Sequence, residues 1–261
     1  MKAVASRKFR LLAVAAPSIV AAVALTFYGR LPQDPRYHRF ADTRTLAGIP
    51  NVGDVLSNVA LVAAGAVGLL FLARSPRRGP LLDPRERIAY VVFFAGVFLA
   101  GFGSAYYHWA PDNQRLFWDR LPMTLAFTSL FVAVLGERIG LRPANRLLVP
   151  LLAIGAAAVL YWRWTEAAGR GDLRPYALVQ YGLLVSLVLL LLLFPDRRAK
   201  GVWWVVGAYA LAKVCEVFDE SIFRLTGFVS GHTLKHVVAG AAGGLVLLVL
   251  ASRRPMTKEV Q

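Results

Sequence analysis

The 261-residue chain is 57% hydrophobic, against about 45–50% for a soluble domain, and its apolar residues fall in long runs that a soluble core does not need. A net charge of +15 would suit a nucleic-acid partner, but the Lys and Arg residues lie between apolar runs, not in a stripe interleaved with base-stacking aromatics, which argues against that class. The single cysteine, Cys215, excludes an intrachain disulfide; set inside an apolar run, it reads as a packed hydrophobe rather than a thiol nucleophile.

A transmembrane helix needs about 20 mostly apolar residues. Eight runs approach this, at about 10–28, 55–73, 88–108, 120–136, 146–162, 175–194, 202–218 and 232–251. The runs are continuous rather than alternating, so helices are expected and not a barrel. The fold class is all-α: a polytopic membrane helical bundle with a seven-helix core plus one extra N-terminal helix. Residues 1–50 read as an anchor helix and an extracytoplasmic loop, and residues 51–261 as the core. Lys2, Arg7, Lys8 and Arg10 before the first run also suit a signal peptide. The apolar part is long for one, so a retained anchor is expected. Further on, Arg74-Ser75-Pro76-Arg77-Arg78-Gly79-Pro80 and Pro195-Asp196-Arg197-Arg198 are hard stops for a helix in lipid.

Basic residues set the orientation. With both termini cytoplasmic, the inner segments hold the N-terminal cluster, then Arg74 to Arg87, Arg138 to Arg146, Arg197 to Lys200, and Arg253 to Lys258. The outer segments hold fewer. On this topology the unusual polar residues converge on the extracytoplasmic face. His108 ends the third run, Asp119 starts the fourth, and His232 and His236 begin the eighth. Ser57-Asn58 opens the second, and Asp219-Glu220 closes the seventh. Ionisable groups in a span are costly and point to function.

His232 and His236 are i and i+4, on one helix face, and His108 can add a third imidazole from another helix. Three protein ligands with an open position describe a catalytic zinc site. Ser104 shares the face of His108 and could hydrogen-bond a developing oxyanion. Asp119, beside a metal-activated water, could take a proton and return it to a leaving amine. Spacing alone leaves other readings open. The histidines could snorkel to the interface or bind haem, Ser104 could bond the carbonyl of Ala100, and Asp119 could cap its helix. Trp109, Trp118, Tyr106 and Tyr107 read first as an interfacial aromatic belt. Asp219 could cap the site or bind a second cation, whereas Glu220 reads as a plain loop carboxylate.

Four segments carry a resemblance. Gly103-Ser104-Ala105-Tyr106-Tyr107-His108 resembles the S-x-x-x-H motif of alkaline ceramidases. Asp119-Arg120-Leu121-Pro122-Met123 is similar to the D-x-L-P-M segment of that family. Gly231-His232-Thr233-Leu234-Lys235-His236 resembles its terminal H-x-x-x-H, and Asp54-Val55-Leu56-Ser57-Asn58 its N-T-x-S-N opening. Order and helix placement agree over about residues 51–251. The wider superfamily also holds adiponectin-receptor-like and Per1-like membrane proteins.

The resemblance implies that His108, His232 and His236 bind Zn2+, that Asp119 handles protons, and that Ser104 supports the site. It implies hydrolysis of ceramide or a similar N-acyl lipid, drawn from the bilayer, to a fatty acid and a free amine. The alternative is a zinc-containing seven-helix receptor without useful turnover. Animal members also carry an acidic Ca2+ site. Here Asn51 stands in place of its Glu, Asp54 replaces the motif Asn, and Arg36, Arg39 and Arg44 surround Asp34 and Asp42, which argues against calcium. Membrane lipids are the other expected partners, with no nucleic acid.

Overall fold

A computed structural model describes residues 6–75, 83–196 and 200–253. Of the residues used above, Lys2, Pro76 to Pro80, Arg197, Arg198, Arg254 and Lys258 lie outside them. The chain is all-helical among the described residues: α1 Arg7–Phe27, a 3-10 turn Pro35–His38, α2 Val52–Leu56, α3 Val59–Arg74, α4 Pro84–Trp109, α5 Asn113–Ile139, α6 Leu141–Ala167, α7 Arg174–Leu193, α8 Lys200–Val217, α9 Asp219–Thr226 and α10 Gly231–Ala251. Seven described spans are long and apolar enough to cross a membrane, with α2 and α3 forming one of them. There are eight if α8 and α9, bent by 75° at their junction, count as a span. The protein is therefore a multi-pass membrane helical bundle.

α4, α5 and α6 extend beyond both ends of the apolar stretches that announced them, because hydropathy marks only the apolar part of a helix. α5 begins at Asn113, with Asp112 accepting the backbone N–H of Arg115 as its cap. Asp119 consequently lies nearly two turns inside the helix, and the cap role open to it from sequence belongs to Asp112. Likewise Asp219 and Glu220 do not close the seventh span but open α9 after the bend. α1 is peripheral. It meets α7 through the hydroxyls of Ser18 and Ser186, 3.1 Å apart, and its remaining surface is largely open.

Two cores stack along the bundle. One, remote from the histidines, is centred on Leu72, Phe94, Val132, Leu190 and Leu250. It is closed by Arg253, which pairs with Glu86 and Glu137 and so ties the end of α10 to α4 and α5. The other, made by Tyr107, Leu116, Val159, Trp162 and Tyr176, lies near the polar end.

Two glycines let backbones approach where the polar residues converge, as small residues do in membrane bundles. A Cβ on Gly231 would lie 2.2 Å from the carbonyl oxygen of Cys215, which seats the start of α10 against α8. A Cβ on Gly103 would lie 2.0 Å from the carbonyl oxygen of Trp118, holding α4 against α5 beside Ser104 and Asp119. A backbone oxygen cannot swing aside as a side chain can. Gly103→Ala is expected to cost at or above the upper end of the ~1–3 kcal/mol typical of overpacking, read as a lowered thermal midpoint in detergent. A variant melting with the wild type would show that the contact is not limiting.

Candidate metal centre

His108 occupies the last turn of α4, and His232 and His236 the first two turns of α10. All three are buried. His108 Nε2 and His232 Nε2 are 3.2 Å apart, and one ligand atom from each imidazole falls within 4.8 Å of the others. Two nitrogens bound at about 2.0–2.1 Å to a tetrahedral zinc would stand about 3.3–3.4 Å apart. The His108–His232 spacing fits a single ion as it stands, and the widest separation in the triad fits after closing by at most about 1.4 Å. A three-imidazole set suits a borderline-soft transition metal and not a hard cation that takes oxygens. Among the described residues this is the group of three or more His, Cys, Asp or Glu side chains arranged to hold a metal.

The surroundings orient the rings. The Ser57 hydroxyl donates to the carbonyl of Asp54 at 3.2 Å and meets His236 Nδ1 at 2.9 Å. A Ser57 hydroxyl that gives its proton to that carbonyl accepts from Nδ1–H of His236, and in that tautomer the Nε2 lone pair is free for a metal. His108 has no such partner at its buried Nδ1. Ring contacts place it instead: Phe40 at 4.5 Å and Tyr107 at 4.9 Å between centroids. Asn51 Nδ2 donates to the carbonyl of His108 at 2.8 Å and ties down the end of α4. Asp54 Oδ1 accepts from the hydroxyls of Ser230 and Thr233, both at 2.8 Å, and fixes the start of α10.

The segment between α1 and α2 lies over the centre. Phe40 packs on His232 as well as His108, with centroids 4.7 Å apart. His38, passed over in the sequence, bridges Tyr107 Oη at 2.9 Å and Asn113 Oδ1 at 3.0 Å. Asp219 accepts the backbone N–H of Ala41 at 3.0 Å and that of His232 at 2.7 Å, so it caps α10 and anchors this segment together. Glu220 is exposed and pairs with Arg224.

The loop carboxylates weighed for calcium are both engaged by arginine: Asp34 by Arg36, and Asp42 by Arg44 at 2.7 Å. Burial alone would raise the Asp42 carboxyl. The hydrogen bonds from Arg44 and from the N–H of Gly53 outweigh it and hold the carboxyl below its ordinary value.

Ser104 and Asp119 are buried beside the triad. Ser104 Oγ lies 3.4 Å from His236 Nε2 and also faces Asp119. With His236 they line the polar end of a cavity of about 380 Å³, whose body is apolar, walled by residues such as Phe93, Leu130, Leu187 and Val205. Along one side α8 packs on α10 and stands off from α7, the two being joined by Gln180 Nε2 donating to Tyr209 Oη at 3.0 Å. Of the aromatics assigned to a belt, Tyr106, Trp109 and Trp118 are exposed on the outer surface, but Tyr107 turns inward and is buried. Cys215 is buried and free.

The same polar end holds charged groups that the sequence reading did not use. Glu216 pairs with both Lys213 and Lys235, the latter at 2.8 Å, and Lys235 Nζ is also 3.2 Å from His232 Nε2. A metal at His232 Nε2 would need that lone pair, leaving Lys235 to Glu216. The signal was present: ionisable residues inside apolar runs, two of them three apart on one helix. No family model matches the chain, and no curated protein matches it.

Proposed function

We propose that this protein is a membrane-embedded, zinc-dependent amide hydrolase of the alkaline ceramidase type, acting on ceramide or a similar N-acyl lipid. The observation that carries the reading is the cluster of three imidazoles, one of which, His236, lines the polar end of an apolar cavity together with Ser104 and Asp119. An acyl chain fits the body of that cavity. Its amide then reaches the polar end, where His236, Ser104 and Asp119 meet.

Zinc held by His108, His232 and His236 supplies Lewis acidity toward a carbonyl oxygen and acidifies water. Asp119 takes the proton of the attacking water and passes it to the leaving nitrogen. The Ser104 hydroxyl donates to the oxygen that gains charge. Phe40 and the segment around it keep bulk water from the histidines, and the gap between α7 and α8 admits lipid sideways. In this reading both termini are cytoplasmic and the centre is near the extracytoplasmic face.

The test is purified protein in detergent with a labelled ceramide and, separately, other N-acyl lipids. Release of the labelled fatty acid that a chelator stops and added zinc restores is the expected result. Tightly bound zinc without cleavage of any N-acyl lipid would overturn the hydrolase and favour a receptor.

A further inference from the structure

Arg120 is 5% exposed and lines the cavity next to Asp119. Its guanidinium stacks on Trp162 at 4.3 Å, Tyr176 at 4.9 Å and Tyr37 at 5.4 Å. One nitrogen, Nη2, donates to Gln33 Oε1 at 2.6 Å, a neutral acceptor. The other, Nη1, is buried without a hydrogen-bond partner. A buried guanidinium with a free N–H is costly unless something accepts from it.

The charges around it point the same way. The ionisable side chains lining the cavity, apart from His236 and the tyrosines, are Asp119, Arg120, Lys213, Glu216 and Lys235. Glu216 is shared by the two lysines, which leaves positive charge in excess before any metal is counted. Inside a membrane span such an excess calls for an anion. The aromatic rings restrain the plane of the Arg120 guanidinium, and with Nη2 given to Gln33 its unpaired Nη1 can donate one charge-assisted hydrogen bond to a carboxylate oxygen.

We propose that Arg120 and Lys235 form an anion subsite that takes the carboxylate on the amine half of the substrate, so that the chain acts on N-acyl amino acids in preference to uncharged N-acyl amines. This rests on the amide-hydrolase reading for its chemistry but not for its binding. The acyl chain fills the apolar body, the amide lies by His236, Ser104 and Asp119, and the carboxylate takes the unpaired N–H of Arg120.

The test uses two uncleavable ligands of one shape, hexadecanesulfonyl-glycine and hexadecanesulfonyl-glycinamide, with the full-length protein as purified in a neutral detergent. The affinity ratio of acid to amide is compared between wild type and variants, so that micelle partitioning cancels. Arg120→Gln is expected to lower the ratio about tenfold or more, the effect of losing one charge-assisted hydrogen bond. Lys235→Met is expected to lower it as well, and Arg120→Lys, which keeps the charge, to lower it less than Arg120→Gln. A ratio unchanged by both Arg120→Gln and Lys235→Met overturns the subsite. Should Arg120→Gln not fold, Lys235→Met and Arg120→Lys against wild type decide. Because cleavage is not read, failure here leaves the hydrolase standing, and absence of turnover leaves the subsite standing.

Discussion

Alanine at both His232 and His236 is expected to take the metal content of the purified protein from about one ion per chain to background. The argument is geometric. Both imidazoles come from consecutive turns of one helix, and their removal leaves His108 alone, since Cys215 is not part of the ligand cluster. A single imidazole does not hold zinc against detergent purification, since affinity rests on several ligands acting together. Elemental analysis beside wild type reads the outcome, and circular dichroism checks that the helices persist. The N-terminal fastening of α10 does not depend on either imidazole: Ser230 caps the helix, and Asp219 accepts the backbone N–H of residue 232. A folded double variant that still carried an equivalent of metal would remove the histidines from the site. No metal in either protein would reduce them to buried polar residues, and the hydrolase would lose its chemistry.

Asp119→Asn should abolish most turnover while sparing the metal. The change keeps the shape of the side chain and removes its ability to accept and return a proton. Proton transfer by a placed carboxylate contributes about 10²–10⁴-fold, and a loss of that order in kcat/KM is the expected reading. Metal content should match wild type, because Asp119 is not among the three clustered ligands. The split between the two measurements is what identifies the role. Loss of metal together with activity would make Asp119 a support of the site, and full activity would remove it from the reaction. Ser104, facing both Asp119 and His236, predicts a smaller loss on conversion to alanine, because one neutral donor to a developing oxyanion is worth less than the proton carrier.

Much of this protein is set by local sequence. Eight apolar runs separated by Arg, Pro and Gly dictate a helical membrane bundle, because only helices and closed barrels satisfy the backbone in lipid and these runs lack the alternation of a barrel. The same reading isolates His108, Asp119, His232 and His236, because polar groups near apolar runs stand out against their surroundings. Their meeting could be anticipated too, since alternating spans return every second end to one face.

What only the tertiary structure decided depends on contacts between segments distant in the chain. Asp112 rather than Asp119 caps α5, because the helix continues into protein contacts that hydropathy does not register. Phe40 closes over the histidines, and His38 bridges Tyr107 and Asn113, from a loop with no periodicity to announce it. Lys213, Glu216, Lys235 and Arg120 were visible as charges in or beside apolar runs, yet their destination was not. Whether a buried charge meets a partner or faces a cavity is settled by how helices pack. Glycines such as Gly103 and Gly231 set that packing by backbone approach, which leaves no trace in hydropathy or charge.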